Sequence, residues 1–125
     1  MAFDQIAAVL YLTIVACVVI FQFCLMFGAP WGRFTQGGRN EGALPISGKV
    51  TAAVSVPLLL FMAASVTSAA GLAPNWPAWT AYAAIAIQGL STILNWITPS
   101  RPERRLWGPI TSIMLLLAGY VVFIG

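Results

Sequence analysis

Few side chains in this sequence could transfer protons, attack a substrate or bind a metal. The 125 residues include no histidine, and the acidic side chains are three: Asp4, Glu41 and Glu103. We expect all three acids at the polar boundaries of the hydrophobic segments. Catalysis needs reactive groups placed together, so the sequence favours a protein that is not an enzyme and that binds no metal and no cofactor.

The two cysteines, Cys17 and Cys24, lie seven residues apart within one apolar segment. On a helix this spacing is about 10 Å along the axis, whereas the Cα atoms of a disulfide lie within roughly 7 Å of each other. The two cysteines therefore cannot bridge each other. Because no histidine or carboxylate is close in sequence to activate them, we expect two buried, unreactive thiols.

Amide and hydroxyl side chains inside the hydrophobic segments are the remaining candidates for a functional site. In the third segment, small and polar residues recur at helical spacing on one stripe: Ala81, Ala84, Gln88, Thr92 and Asn95. In the first segment, Tyr11 and Gln22 are eleven residues apart and share a helix face that should point into a bundle.

Two interpretations of these side chains remain open. They could line a path for a solute, or they could form hydrogen bonds between helices, each contributing about 0.6 to 2 kcal/mol; the sequence favours the second. The helix-packing or pore-lining candidates are Gln22, Gln88, Thr92 and Asn95.

The composition identifies the class of protein. Hydrophobic residues make up 60% of the chain and charged residues 7%, and the mean hydropathy is +0.90. A soluble domain has about 25% charged residues, so we expect an integral membrane protein. The net charge of +3 does not indicate nucleic-acid binding, since the basic residues form no continuous face.

Four hydrophobic segments, at about 3–27, 50–72, 79–97 and 106–124, approach or exceed the length needed to cross a hydrocarbon core of roughly 30 Å. The sequence predicts an all-α membrane protein: one domain, residues 1–125, with four transmembrane helices in an antiparallel up-down bundle. Pro57 should bend the second helix. The segment Asn95–Pro109 is expected to be a polar hairpin turn, and Gly37-Gly38 a second turn.

The basic residues predict the orientation. They all fall in the first and third connections: Arg33, Arg39, Lys49, Arg101, Arg104 and Arg105. By the positive-inside rule these loops are cytoplasmic, with both termini outside. The tryptophans should anchor the two interfaces: Trp31, Trp76, Trp79, Trp96 and Trp107. Anionic lipid headgroups, or a partner, could bind the basic loops.

Both polar loops have a recognisable sequence, FGAPWGRFTQGGRNEGALP at 27–45 and LNWITPSRPERRLWGP at 94–109. Together they make the chain resemble a group of small, uncharacterised four-helix membrane proteins of bacteria, and the resemblance covers most of the chain. It implies four helices and a place in the bacterial inner membrane. It implies no activity and no catalytic residue.

Two functions fit these features. The first is an accessory or scaffold subunit that packs against a larger membrane complex or lipid, since small side chains let membrane helices pack closely. The alternative is an oligomeric channel or uncoupled transporter for a small neutral solute. An ion-coupled transporter usually has an ionisable side chain within the membrane, and the predicted spans contain none. The expected partners are membrane lipids and either another membrane protein or further copies of the chain.

Overall fold

Four long helices make up most of the structure, a computed structural model that describes residues 1–125. They are α1 (Phe3–Met26), α2 (Ile46–Ala69), α3 (Ala78–Ile97) and α4 (Arg101–Gly119), and α4 continues into a π-helical turn, Tyr120–Ile124. Two 3₁₀ turns, Gly32–Phe34 and Gln36–Gly38, lie in the first connection. There is no β-strand, which confirms the predicted all-α fold.

The helices form a ring in which each packs against two neighbours, with α1 against α4 closing the ring. Phe21, near the end of α1, contacts Trp107, near the start of α4, so these two helices run antiparallel. One core cluster contains Ala8, Tyr11 and Ala118. The alanine side chains allow the close helix approach on which membrane bundles depend.

Three of the helices are long and apolar enough to cross a membrane: α1, α2, and α4 together with its π-helical turn. The 20-residue helix α3 is not one of them. Polar side chains, including Gln88, Thr92 and Asn95, lower the mean hydropathy of its sequence. The expectation of a helical membrane protein is thus supported by three candidate spans, and the fourth belongs to the proposals below.

Helix α4 begins at Arg101, five residues before the predicted fourth segment. The Ser100 hydroxyl oxygen accepts a hydrogen bond from the Glu103 backbone amide at 3.3 Å, and Pro102 lies in the first turn, where its missing N–H costs little. The prediction of a polar turn over Asn95–Pro109 is therefore wrong for most of its length. Only residues 98–100 separate α3 from α4.

The expectation of two buried thiols is wrong for Cys17. Its side chain is exposed on the outer face of α1, whereas Cys24 is partly buried, and both thiols are free. Thr13 and Ile20, one turn before and after Cys17, are exposed as well. This face of α1 therefore points away from the bundle.

Candidate functional site

A cavity of about 250 Å³ lies inside the bundle. It occupies the half near the connection between α1 and α2, residues 27–45, which we term the first loop. This volume can hold several water molecules or a small ligand. All four helices contribute polar side chains to it, among them Gln22, Ser55, Gln88, Asn95, Glu103 and Thr111. No lysine or arginine lines it.

Gln88 marks the inner end of the cavity and is only 1% exposed. Its Oε1 accepts a hydrogen bond from the Tyr11 hydroxyl at 2.8 Å. Its Nε2 donates to the Thr111 carbonyl oxygen at 3.3 Å. One amide thereby connects α1, α3 and α4, as an interhelical hydrogen-bonding role requires.

Thr92 reinforces the contact between α3 and α4. Its hydroxyl lies 2.9 Å from the Gln88 carbonyl oxygen and 3.1 Å from that of Thr111, so it can donate to either. Asn95 behaves differently from the expectation, because its Nδ2 donates to the Ser91 carbonyl oxygen of its own helix at 2.7 Å. Asn95 and Gln22 both line the cavity, so among the four candidates these two are available to a ligand.

Glu103 is the functional candidate that the sequence analysis missed. It was expected in an exposed polar turn, but its side chain is 8% exposed and lines the cavity. Its Oε2 accepts a hydrogen bond from the Gly37 backbone amide at 3.4 Å, which is long for an N–H···O bond.

A signal for Glu103 was present in the sequence. Ser100 and Glu103 have the S-x-x-E spacing of a helix start. With the helix begun there, Glu103, Trp107 and Thr111 follow at four-residue intervals on one face. All of these three residues line the cavity.

The first loop folds over the start of α4. The Ser100 hydroxyl donates to the Arg33 carbonyl oxygen at 2.5 Å, and the Trp107 indole donates to that of Phe34 at 2.8 Å. At the turn, Gln36, Gly37 and Gly38 have φ of 51°, 74° and 70°, a left-handed conformation that glycine adopts without strain. The predicted Gly37-Gly38 turn therefore holds Gly37 against Glu103.

A groove adjoins the cavity and runs along α3, bordered by Leu58 of α2 and by Gln36, Gly37 and Arg39 of the first loop. It shares Ser91, Asn95 and Glu103 with the cavity, together with Leu58 and Ile87. Farther out it is lined by Leu90 and Leu94. The cavity thus combines polar side chains with hydrophobic ones such as Met62 and Met114, and the groove adjoining it carries exposed leucine side chains.

The six basic residues lie at the loop end of the bundle. Arg33, Arg39, Arg101 and Arg105 are exposed. Arg104 is partly buried, and its Nη1 donates to the Thr98 carbonyl oxygen at 3.2 Å; Lys49, at the start of α2, is also partly buried. The first loop is hydrogen-bonded to Ser100 and Trp107 at the start of α4. These six basic residues therefore share one surface, which we term the basic loop surface.

The tryptophans divide between the two ends of the bundle. Trp31 stacks on Phe21 with ring centroids 5.8 Å apart, and the Trp96 indole donates to the Ser112 hydroxyl at 2.8 Å. Trp76 and Trp79 lie at the opposite end, after α2 and at the start of α3, and both are exposed. Trp107 differs from these four because it is partly buried and lines the cavity.

No protein-family model, curated protein or solved structure matches this chain. Function therefore has to be inferred from the cavity, the groove and the basic loop surface. Chemically, the cavity can donate and accept hydrogen bonds and can present one carboxylate to a molecule inside it.

Proposed function

We propose that this protein is a non-catalytic integral membrane protein that binds a small molecule through a polar group held in the cavity between its helices. The observation that carries the proposal is the convergence of polar side chains from all four helices on one cavity. Burying polar groups in an apolar environment is costly unless they find partners. Concave sites with a few convergent polar groups are typical of ligand binding.

The packing of the other half of the bundle favours a pocket over a channel. Beyond Gln88 the core is filled by Ala8, Tyr11 and Ala118, each with 0% exposure. The hydrogen bond between Tyr11 and Gln88 closes the inner end of the cavity. In this conformation one chain therefore offers a site open at one end, which supports ligand binding over passage of a solute through a single chain.

We further propose that all four helices cross the bacterial inner membrane. Helix α3 has 20 residues, about 30 Å of helix, and Gln88 and Thr92 are buried inside the bundle. Its outer face carries exposed Leu90, Ile93 and Leu94, which suit contact with lipid. With the basic loop surface in the cytoplasm, both termini lie outside.

Native mass spectrometry of protein extracted from its own membranes in mild detergent tests ligand binding. We expect wild type to retain a small-molecule adduct, and Ser91→Phe to lose it because the larger side chain fills the cavity. Ala86→Phe, on the exposed face of the same helix, is the matched control and should keep the adduct. Absence of an adduct from wild type, or equal retention by Ser91→Phe, would contradict the proposal.

A role as an accessory subunit is the second candidate, and the basic loop surface favours it. Arg101 and Arg105 are exposed at the start of α4, to which the first loop is hydrogen-bonded. Each basic residue near an anionic leaflet contributes about 1 kcal/mol. The test is a variant with Arg101→Gln and Arg105→Gln that carries Gly42→Lys and Ala43→Lys, so that orientation is preserved. We expect less co-purifying partner or anionic lipid; an unchanged amount would exclude this role for the two arginines.

A further inference from the structure

We propose that the cavity and groove together bind a single-chain amphiphile with a cationic headgroup. The headgroup would lie beside Glu103, and the hydrocarbon chain would leave the bundle between α2 and α3. This inference rests on the proposed function, a ligand in the cavity, and adds the chemical class of that ligand.

The charge inside the cavity selects a cation. Glu103 is the one acidic residue that lines it, and no basic residue does. Burying a carboxylate is costly unless it is paired. The long hydrogen bond from Gly37 and the start of α4, where a helix favours negative charge, offset part of that cost. Neither supplies a formal positive charge.

The arginines near Glu103 do not fill this role. Arg101 and Arg105 on the same helix are exposed, and Arg104 donates to the Thr98 carbonyl oxygen. Arg39 lines the outer groove, but its side chain is exposed and its Nε donates to the Gln36 carbonyl oxygen at 3.4 Å. A positively charged headgroup in the cavity would therefore be the direct partner of Glu103.

The aromatic lining also suits an ammonium headgroup. Phe21 and Trp107 both line the cavity, and their rings meet edge to face with centroids 4.9 Å apart. Aromatic faces attract ammonium groups through cation–π interactions, which are stronger where water is excluded. A cavity lined by one carboxylate and two aromatic side chains thus provides both charge and contact area for such a group.

The groove provides the path for a hydrocarbon chain. It begins at Ser91, Asn95 and Glu103 and continues past Leu90 and Leu94, both of which are exposed large hydrophobic residues. In a membrane this side of the bundle faces acyl chains. Glu103, which lines both the cavity and the groove, and the exposed leucines of the groove match a ligand with one cationic end and one apolar end.

Calorimetric titration of the purified protein in neutral maltoside micelles tests the inference, with dodecyltrimethylammonium as the probe and dodecanol as its uncharged counterpart. We expect saturable binding of the ammonium probe by wild type and at least tenfold weaker binding by Glu103→Gln. Glutamine can still accept the Gly37 hydrogen bond, so the loop should stay in place. Glu41→Gln makes the same change of charge on an exposed loop residue and should bind like wild type.

A second variant tests the groove without altering the carboxylate. Leu90→Trp should weaken binding of dodecyltrimethylammonium while leaving binding of tetramethylammonium unchanged. If thermal unfolding shows that Glu103→Gln does not fold, the binding of the two ammonium probes by Leu90→Trp tests the inference instead. Equal affinity of wild type and folded Glu103→Gln, equal affinity for dodecanol, or no effect of Leu90→Trp would overturn the inference.

The two proposals fail in distinguishable ways. A native adduct that Ser91→Phe abolishes, combined with no binding of the ammonium probe, would leave ligand binding standing and refute the cationic amphiphile. No adduct and no probe binding would refute both.

Discussion

Gln88 makes hydrogen bonds to two other helices, through Tyr11 of α1 and Thr111 of α4. In Gln88→Leu the Tyr11 hydroxyl loses its acceptor in a fully buried position. An unsatisfied buried group costs about 1 to 3 kcal/mol, so we expect the free energy of unfolding in detergent to fall by that amount. Asn95→Leu should have a smaller effect, since Asn95 donates within α3. Equal destabilisation by both variants would contradict this assignment.

Two helical glycines provide a matched test of packing. A methyl group at Gly108 would lie 3.1 Å from atoms of the Trp96 ring, whereas one at Gly89 would have nothing within 4 Å. We expect Gly108→Ala to lower the thermal unfolding temperature, because Trp96 must shift and its hydrogen bond to Ser112 must adjust. Gly89→Ala should match or exceed wild type, since alanine favours a helix by about 1 kcal/mol. The contrary result would be a lower unfolding temperature for Gly89→Ala and an unchanged one for Gly108→Ala.

At the scale of single residues, the sequence predicted the polar stripe of α3 but not its hydrogen-bond partners. Gln88 and Thr92 fall on one face because helical spacing places them there. That Gln88 pairs with Tyr11 of α1 depends on how the helices pack. Glu103 was misplaced because its short-range pattern with Ser100 was outweighed by the surrounding arginines and prolines, which resemble a turn.

Among the elements, the start of α4 controls how the first loop is attached. Ser100 both caps the helix and donates to the Arg33 carbonyl oxygen. We expect Ser100→Ala to cost about 0.5 to 2 kcal/mol of stability and to make the first loop more susceptible to limited proteolysis. Ser47→Ala, at an exposed position in the first turn of α2, is the control. Unchanged proteolysis of Ser100→Ala would show that the loop is held by other contacts.

The helices themselves were predictable because long uncharged segments in a membrane must satisfy their backbone hydrogen bonds internally. Their ends were less predictable. Helix α4 extends five residues further than the apolar segment because a polar cap and a proline, not hydrophobicity, set its start. Helix α3 is not a candidate span because it carries polar residues such as Gln88 and Asn95 on the face that lines the cavity.

For the whole molecule, cysteine labelling tests the four-span arrangement. In a background with Cys17→Ala and Cys24→Ala, we expect cysteines at Arg39 and Arg101 to react from the cytoplasm and one at Asn75 from outside. All three positions are exposed. If α3 did not cross the membrane, positions 75 and 101 would react from the same side, and the four-span proposal would be wrong.

The core around Ala8, Tyr11 and Ala118 is closely packed, whereas the loop half of the bundle contains the cavity, and this difference has a mechanical consequence. Hydrostatic pressure favours conformations with less internal void volume, so its effect should be larger where α2, α3 and the first loop surround the cavity than in the packed core. Compression should move the loop-end helix segments inward before it affects the core around Tyr11 and Ala118. A ligand in the cavity would oppose that movement and make the loop half and this core similarly incompressible.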